Sequence, residues 1–285
     1  LDQGGNAMGR RRELKGLRAV VTGASQGIGR ALALEGARRG MTIVAQARSK
    51  NLLDELVKEA AGLPGQVMAE VGDVTNSEDR KRLVARCQRE LGGLDLLVNN
   101  AGIGATGHFA DSGPERLRQI FEVNVFGLVE TTRECLGLLV RGNSPMVVNI
   151  GSIVGERGFP ARSEYSCSKF AVHAFSDGLR AELAKDNVDV LMIAPGLTQT
   201  NFSQNMIEQS AKVQLDHMRG MTSEEVASAT WNAAARGNDE VFLTRQGRLL
   251  LRVNRFLPWL VDRIMRRKVK AIFKHEPKAV PAAVS

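Results

Sequence analysis

Short apolar runs alternate with longer amphipathic stretches along the chain from Leu17 onward. RAVVTG (18–23), TIVAQA (42–47), QVMAEV (66–71), LDLLVNN (94–100), PMVVNIGS (145–152), VDVLMIAP (188–195) and EVFLT (240–244) are apolar at successive positions. That pattern marks strands covered on both faces. Between them, apolar residues return at helical spacing over 28–39, 50–61, 77–91, 114–140, 164–185 and 223–236. Strands alternating with helices make βαβ units, whose crossovers are right-handed. The pattern therefore predicts an α/β fold with a single doubly wound parallel seven-stranded sheet and helices on both faces. No Pro/Gly/Ser linker or internal repeat divides the chain. Residues 1–15 are expected to be a flexible N-terminus, the first eight reading as a leftover of expression. One domain over 16–246 and a C-terminal extension over 247–285 follow.

Composition changes this picture little. With 285 residues, 43% hydrophobic and 25% charged, the chain has an ordinary globular make-up. No apolar run approaches the roughly 18 residues of a spanning helix, and no signal-peptide pattern opens the sequence. Cys87, Cys135 and Cys167 share no metal-ligand spacing, and the four histidines are scattered, so no metal site and a cytoplasmic location with reduced thiols are expected.

Charge does change it, at one place. The net charge of +8 arises between Arg248 and Lys274, where nine basic residues face Asp262 alone. The remaining body is neutral, and no aromatic-interleaved reading module is present, so nucleic acid is not the expected partner. In this tail Leu257, Val261, Ile264, Met265, Val269, Ile272 and Phe273 recur at helical spacing, Pro258 suits a helix start, and Arg263, Arg266, Arg267, Lys268 and Lys270 form a basic face. Two readings stand. The apolar face packs on the body or a partner subunit, or residues 248–274 make peripheral contact with an anionic membrane.

The chemistry begins where the first strand runs into TGASQGIGR. Its glycines permit a tight turn and let backbone approach a pyrophosphate, which would sit at the N-terminus of the following helix. Tyr165, the single tyrosine, stands four residues before Lys169 in a helical stretch, so the two project from one face. A phenol of pKa about 10 becomes a better acid/base beside an ammonium, which fits proton exchange with a ketone or alcohol oxygen. Cys167 is turned about 200° away from that face and is expected to be a packed thiol.

These stretches resemble the short-chain dehydrogenase/reductase family, whose phosphate loop is TGxxxGIG. NNAG (99–102), Asp73 in GDVT, and PGLTQT (195–200) also stand in the family's order, so the resemblance covers residues 18 to about 244. It implies a Rossmann-type domain in which Gly23, Ser25, Gln26, Gly27, Ile28 and Gly29 cradle the cofactor phosphates. Asp73 and Val74 would meet the adenine, and Asn100, Ala101 and Gly102 would lie along the cofactor. Pro195, Gly196, Thr198 and Thr200 would border the nicotinamide. Catalysis would fall to Ser152, which polarises the carbonyl, Tyr165 as acid/base, Lys169, which lowers its pKa and binds ribose, and Asn124, which supports a proton path. Cofactor choice is made at the end of the second strand, where a carboxylate selects NAD. Here Ala47 is followed by Arg48, Ser49 and Lys50, so Arg48 and Ser49 favour NADP(H) over NAD(H), the alternative being solvated loop charges.

The resemblance further implies interconversion of a ketone or aldehyde and a secondary alcohol, and a homodimer or homotetramer through helices 114–140 and 164–185. The loop from Leu197 to about Met221, with Asn201, Phe202, Met206 and Ile207, either closes over a hydrophobic substrate or packs a peripheral helix onto the domain, which leaves the substrate's identity open. His108 and Phe109 border the region where that substrate would enter. The competing functional class is an NADP(H)-sensing binding protein on the same fold, against which intact Ser152, Tyr165 and Lys169 argue.

Overall fold

The computed structural model describes residues 9–199, 206–209 and 220–272. The seven apolar runs form β1 (Arg18–Thr22), β2 (Thr42–Ala47), β3 (Gln66–Val71), β4 (Leu96–Asn99), β5 (Met146–Ile150), β6 (Asp189–Ala194) and β7 (Glu240–Phe242). They pair in the order β7-β6-β5-β4-β1-β2-β3, each pair parallel. The intervening helices are α1 (Gly27–Arg38), α2 (Lys50–Glu59), α3 (Ser77–Arg86), α4 (Pro114–Phe121), α5 (Leu128–Leu139), α6 (Ser163–Leu183) and α7 (Ser223–Arg236).

The continuous apolar strands have a direct physical cause. Ala19, Val21, Ile43 and Ala45 enter one core with Leu32 of α1, Leu53 of α2 and Trp231 of α7. Val20, Val44 and Leu97 enter the opposite core with Leu83 of α3, Cys135 of α5 and Leu183 of α6. Side chains alternate across a strand, so a sheet covered on both faces needs apolar residues at every position.

Two expected elements differ. The stretch expected as one helix over 114–140 is α4 and α5 joined by a π-helical turn, Glu122–Gly127, with Asn124 inside it. The helix expected over 77–91 likewise ends in a π turn, Cys87–Leu91. The expected flexible N-terminus is also too long. Arg12 and Leu14 are buried, and the Arg12 guanidinium donates to Ala234 O at 2.6 Å and to the Asp189 carboxylate at 2.5 Å. A buried cation paired with the half-buried Asp189 pins this segment against β6 and the end of α7.

The extension begins inside the expected domain boundary. Helix α8 (Arg245–Phe256) follows β7 directly, capped by Thr244, whose Oγ1 accepts from Gly247 N at 3.2 Å. Helix α9 (Pro258–Ile272) starts at the expected proline. Val261 is buried, and Asp262 pairs with Arg157 on the body. The extension thus packs on the domain, while Leu249, Phe256, Leu257 and Trp259 stay exposed. Phe273 and Lys274 lie outside the described residues, as do the side chains of Lys268, Lys270 and Ile272. Among the described residues no helix is long and apolar enough to cross a membrane.

Candidate active site

Strand order reverses between β1 and β4, and the crevice beyond their carboxyl ends is where open α/β sheets bind ligands. The loop after β1 is pressed against the NNAG segment after β4. Thr22 Oγ1 accepts from the N–H groups of both Asn100 and Ala101 at 3.1 Å, and Asn100 Nδ2 donates to Thr22 O at 2.9 Å. Gly23 has φ +65, and a Cβ there would stand 2.8 Å from Ala101 Cα; one on Gly29 would stand 2.3 Å from Gly23 O. Only glycine allows this approach. Helix α1 opens with no acidic residue in its first turn and no side-chain cap from Gln26, which leaves its first N–H groups directed at an anion. The cradle therefore fits a pyrophosphate on its own chemistry.

A cleft of about 1630 Å³ extends from this loop across the sheet. Its walls include Gly23, Ser25, Gln26, Gly27 and Ile28, then Arg48 and Ser49, Asp73 and Val74, and Asn100, Ala101 and Gly102. Ser152, Tyr165, Lys169, Pro195, Gly196 and Thr198 line the far part. Gly29 and Asn124 stand behind the wall, and Thr200 lies outside the described residues. Arg48 is exposed, its guanidinium 3.8 Å from the Asp73 carboxylate. Of the covering loop, Leu197, Met206, Ile207 and Met221 line the cleft, whereas Asn201 and Phe202 lie outside the described residues. His108 is exposed, its ring accepting from Ala110 N.

Ser152 ends β5's run and caps the next turn, its hydroxyl accepting from Val154 N at 3.4 Å. It also hydrogen-bonds the Tyr165 hydroxyl. Lys169 is buried one turn along α6, with Nζ 5.8 Å from the Tyr165 ring centre and donating to Ile150 O at 2.8 Å. Asn124 Oδ1 accepts from Ile103 N at 2.8 Å, and its Nδ2 donates to Ile103 O at 3.0 Å and to Ser168 Oγ at 2.9 Å. Ser168 donates to Tyr165 O, which joins the π turn to α6. A Cβ on Gly102 would meet Asn124 Oδ1 at 3.3 Å and Lys169 Nζ at 3.8 Å, so these two groups border one spot.

The electrostatics correct one expectation. Burial pushes the Tyr165 phenol up to about 12, and the groups opposing this are Arg162 and the Ser152 hydrogen bond, not Lys169. Burial brings Lys169 down to about 8. Desolvation by burial is the leading cause for both groups, raising the phenol and lowering the ammonium. Cys167 also differs from expectation: it is exposed on the outer side of α6. Away from the cleft, Glu156, His173 and Glu240 bring ligand atoms within 4.8 Å of one another, a grouping the scattered histidines did not suggest. The 2.8 Å contact of His173 with Glu156 accounts for much of it.

Residues 18–211 match the short chain dehydrogenase family as a whole. The chain belongs to the short-chain dehydrogenase/reductase (SDR) family. This makes it an oxidoreductase of CH–OH groups that uses a nicotinamide cofactor and a small-molecule substrate. It is 34% identical over 217 residues to the 3-oxoacyl-[acyl-carrier-protein] reductase FabG of Thermotoga maritima, covering 75% of this chain and 88% of that protein. It is 31% identical over 260 residues to the ketoacyl reductase HetN of a Nostoc species, covering 89% of each. In fold it matches an SDR from Burkholderia phymatum in complex with NAD, with TM-score 0.78, 23% identity, and coverage of 95% and 99%. An alcohol dehydrogenase from Thermococcus sibiricus complexed with 5-hydroxy-NADP matches with TM-score 0.72 and 25% identity, over 80% and 96% of the two chains.

This SDR has cleft residues that motif reading passed over. Gln246, Gly247 and Leu250 of α8, and Ile264 and Met265 of α9, line the far end, so the extension is a wall of the site. The helical spacing of these apolar residues was visible, but not which surface they would cover. Phe159, Pro160 and Arg162, from the loop between Ser152 and α6, also line it. Their only signal was proximity to Tyr165.

Proposed function

We propose that this SDR reduces a hydrophobic ketone to a secondary alcohol with NADPH. The observation that carries the reading is the pair of hydrogen-bonded hydroxyls, Ser152 and Tyr165, above a buried Lys169 at the cleft wall. A carbonyl oxygen held between the two hydroxyls is polarised by Ser152 and protonated by Tyr165 as negative charge develops. A phenol of pKa about 12 is fully protonated at neutral pH, which suits the donor role in the reductive direction. Lys169, brought down to about 8, holds a transferable proton near neutrality and resupplies the phenol, with Asn124 bordering the same path. It also serves as a ligand for the cofactor ribose. When bound, NADPH supplies the hydride.

The absence of a carboxylate at Ala47 and the exposed, cleft-lining Arg48 support NADP(H), with Ser49 free of any capping bond beside it. The apolar cleft wall and the ketoacyl-reducing relatives support a 3-oxoacyl-type substrate or another hydrophobic ketone. Exposed Phe126 and Phe170, on the π turn and α6, support assembly into a homodimer or homotetramer through these helices. Exposed Phe256, Leu257 and Trp259 with Arg252, Arg255, Arg263, Arg266 and Arg267 support peripheral contact with an anionic bilayer.

Fluorescence titration with NADPH and NADH, followed by a carbonyl panel scored by NADPH oxidation, tests the reading. Tyr165→Phe is expected to lower turnover about 10²- to 10⁴-fold with NADPH binding retained. Residual turnover within about tenfold of wild type would sink the assignment.

A further inference from the structure

Other arginines withdrawn from solvent among the described residues are ion-paired, as Arg12 is with Asp189, Arg80 with Glu134 and Arg116 with Glu164. Arg162 is half-buried and lines the active-site cleft, yet among the described residues no carboxylate or hydrogen-bond acceptor is paired with its guanidinium. Its surroundings withdraw water from it, and the one group that favours its charge is Tyr165. A half-buried guanidinium that opens on a cleft is placed to be completed by an anionic ligand. The loop that carries it is itself held in an unusual shape. Ala161 adopts φ +62, a left-handed conformation that disfavours a side chain, and its carbonyl is fastened by Gly107 N at 3.0 Å.

The glycine loop after β1 already offers a cradle for the cofactor phosphates, and β4 separates that strand from β5, which leads to Ser152. An anion at Arg162 therefore belongs to the substrate. The lining of the same cleft includes the apolar Ile153, Phe159, Leu250 and Met265.

We propose that Arg162 is a specificity-determining residue that pairs with a carboxylate on the substrate, which makes the preferred substrate class an amphiphilic keto acid with an apolar remainder. The guanidinium fork matches a carboxylate with two parallel hydrogen bonds and places the carbonyl of the same molecule at Ser152 and Tyr165. The proposal rests on the carbonyl-reducing reading above.

The test compares a medium-chain keto acid with its methyl ester in wild type, Arg162→Gln and Arg162→Lys. In Arg162→Gln, kcat/KM for the acid is expected to fall about 10- to 100-fold, carried mostly by KM, and the fall on the ester to be about tenfold smaller. Arg162→Lys is expected to recover part of the acid preference, and the pH profile of kcat to stay in place. Equal losses on acid and ester, with a shifted pH profile, overturn the proposal, because Arg162 then acts through the Tyr165 phenol. No acid preference in wild type overturns it too. A binding readout separates this idea from the activity itself. Calorimetry with decanoate and decanol is expected to show decanoate preferred by wild type and the preference lost in Arg162→Gln, even if no carbonyl is turned over. Equal binding of both compounds by both proteins overturns the anion site whatever the activity.

Discussion

Tyr165 is the only tyrosine, so its ionisation is readable without interference. With the phenol pushed up to about 12 by burial, the folded protein is expected to show little phenolate absorbance, at about 295 nm, at roughly pH 10.5, where a free phenol of pKa about 10 is mostly ionised. Half-ionisation at or below pH 10 in the protein without nucleotide would contradict the burial argument. The linkage sign follows: a raised folded pKa contributes stability that is complete below the unfolded value and is lost as pH rises through about 12. Lys169 has the opposite sense. Its folded pKa of about 8 lies below the unfolded value, so the buried charge costs stability at pH 7, and that cost disappears as pH rises toward the unfolded value of 10.5. Lys169→Met is therefore expected to abolish most activity while stabilising the fold at pH 7 by roughly 1–3 kcal/mol, after the lost bond to Ile150 O is counted. Urea melts at pH 7 and about pH 10.5 check this, with the gain confined to the lower pH. Ser152, Tyr165, Lys169 and Asn124, which the structure brings to one part of the cleft, were each nameable from a motif. The direction of their pKa values was not, because desolvation depends on packing contributed by the whole cleft.

At the scale of elements, apolar spacing located seven strands and six helices to within a few residues. It failed at the π turn around Asn124, since one widened turn barely disturbs a helical period. Within that turn the Asn124 side chain reaches both backbone groups of Ile103, a contact with a distant loop that no helical period encodes. Two glycines in helices give contrasting tests. A Cβ at Gly29 collides with Gly23 O and Asn100, so Gly29→Ala is expected to distort the phosphate cradle and weaken NADPH binding by about tenfold or more, by fluorescence titration. Nothing lies within 4 Å of a Cβ at Gly178 in α6. Gly178→Ala is expected to raise stability by roughly 0.5–1 kcal/mol in a urea melt without touching that affinity. A reversed order of the two effects would contradict the assignment of the cradle.

For the molecule as a whole, the charge distribution asks for one more test. The protein is expected to sediment with anionic vesicles and not with neutral ones, and to be released by salt, because the tail's arginines are exposed beside Phe256, Leu257 and Trp259. Charge-independent sedimentation, or none, removes the membrane contact. The sequence by itself determined the sheet, its covered faces, the glycine turn after β1 and the Tyr165/Lys169 spacing on one helix, because these depend on period, on glycine geometry and on residues close together along the chain. Tertiary structure alone decided that the basic tail forms a wall of the cleft, that Arg12 anchors the N-terminal segment to β6, and that Arg162 lines the cleft. Such contacts join residues distant in the chain, and no local pattern encodes which of several apolar or charged surfaces a segment will meet.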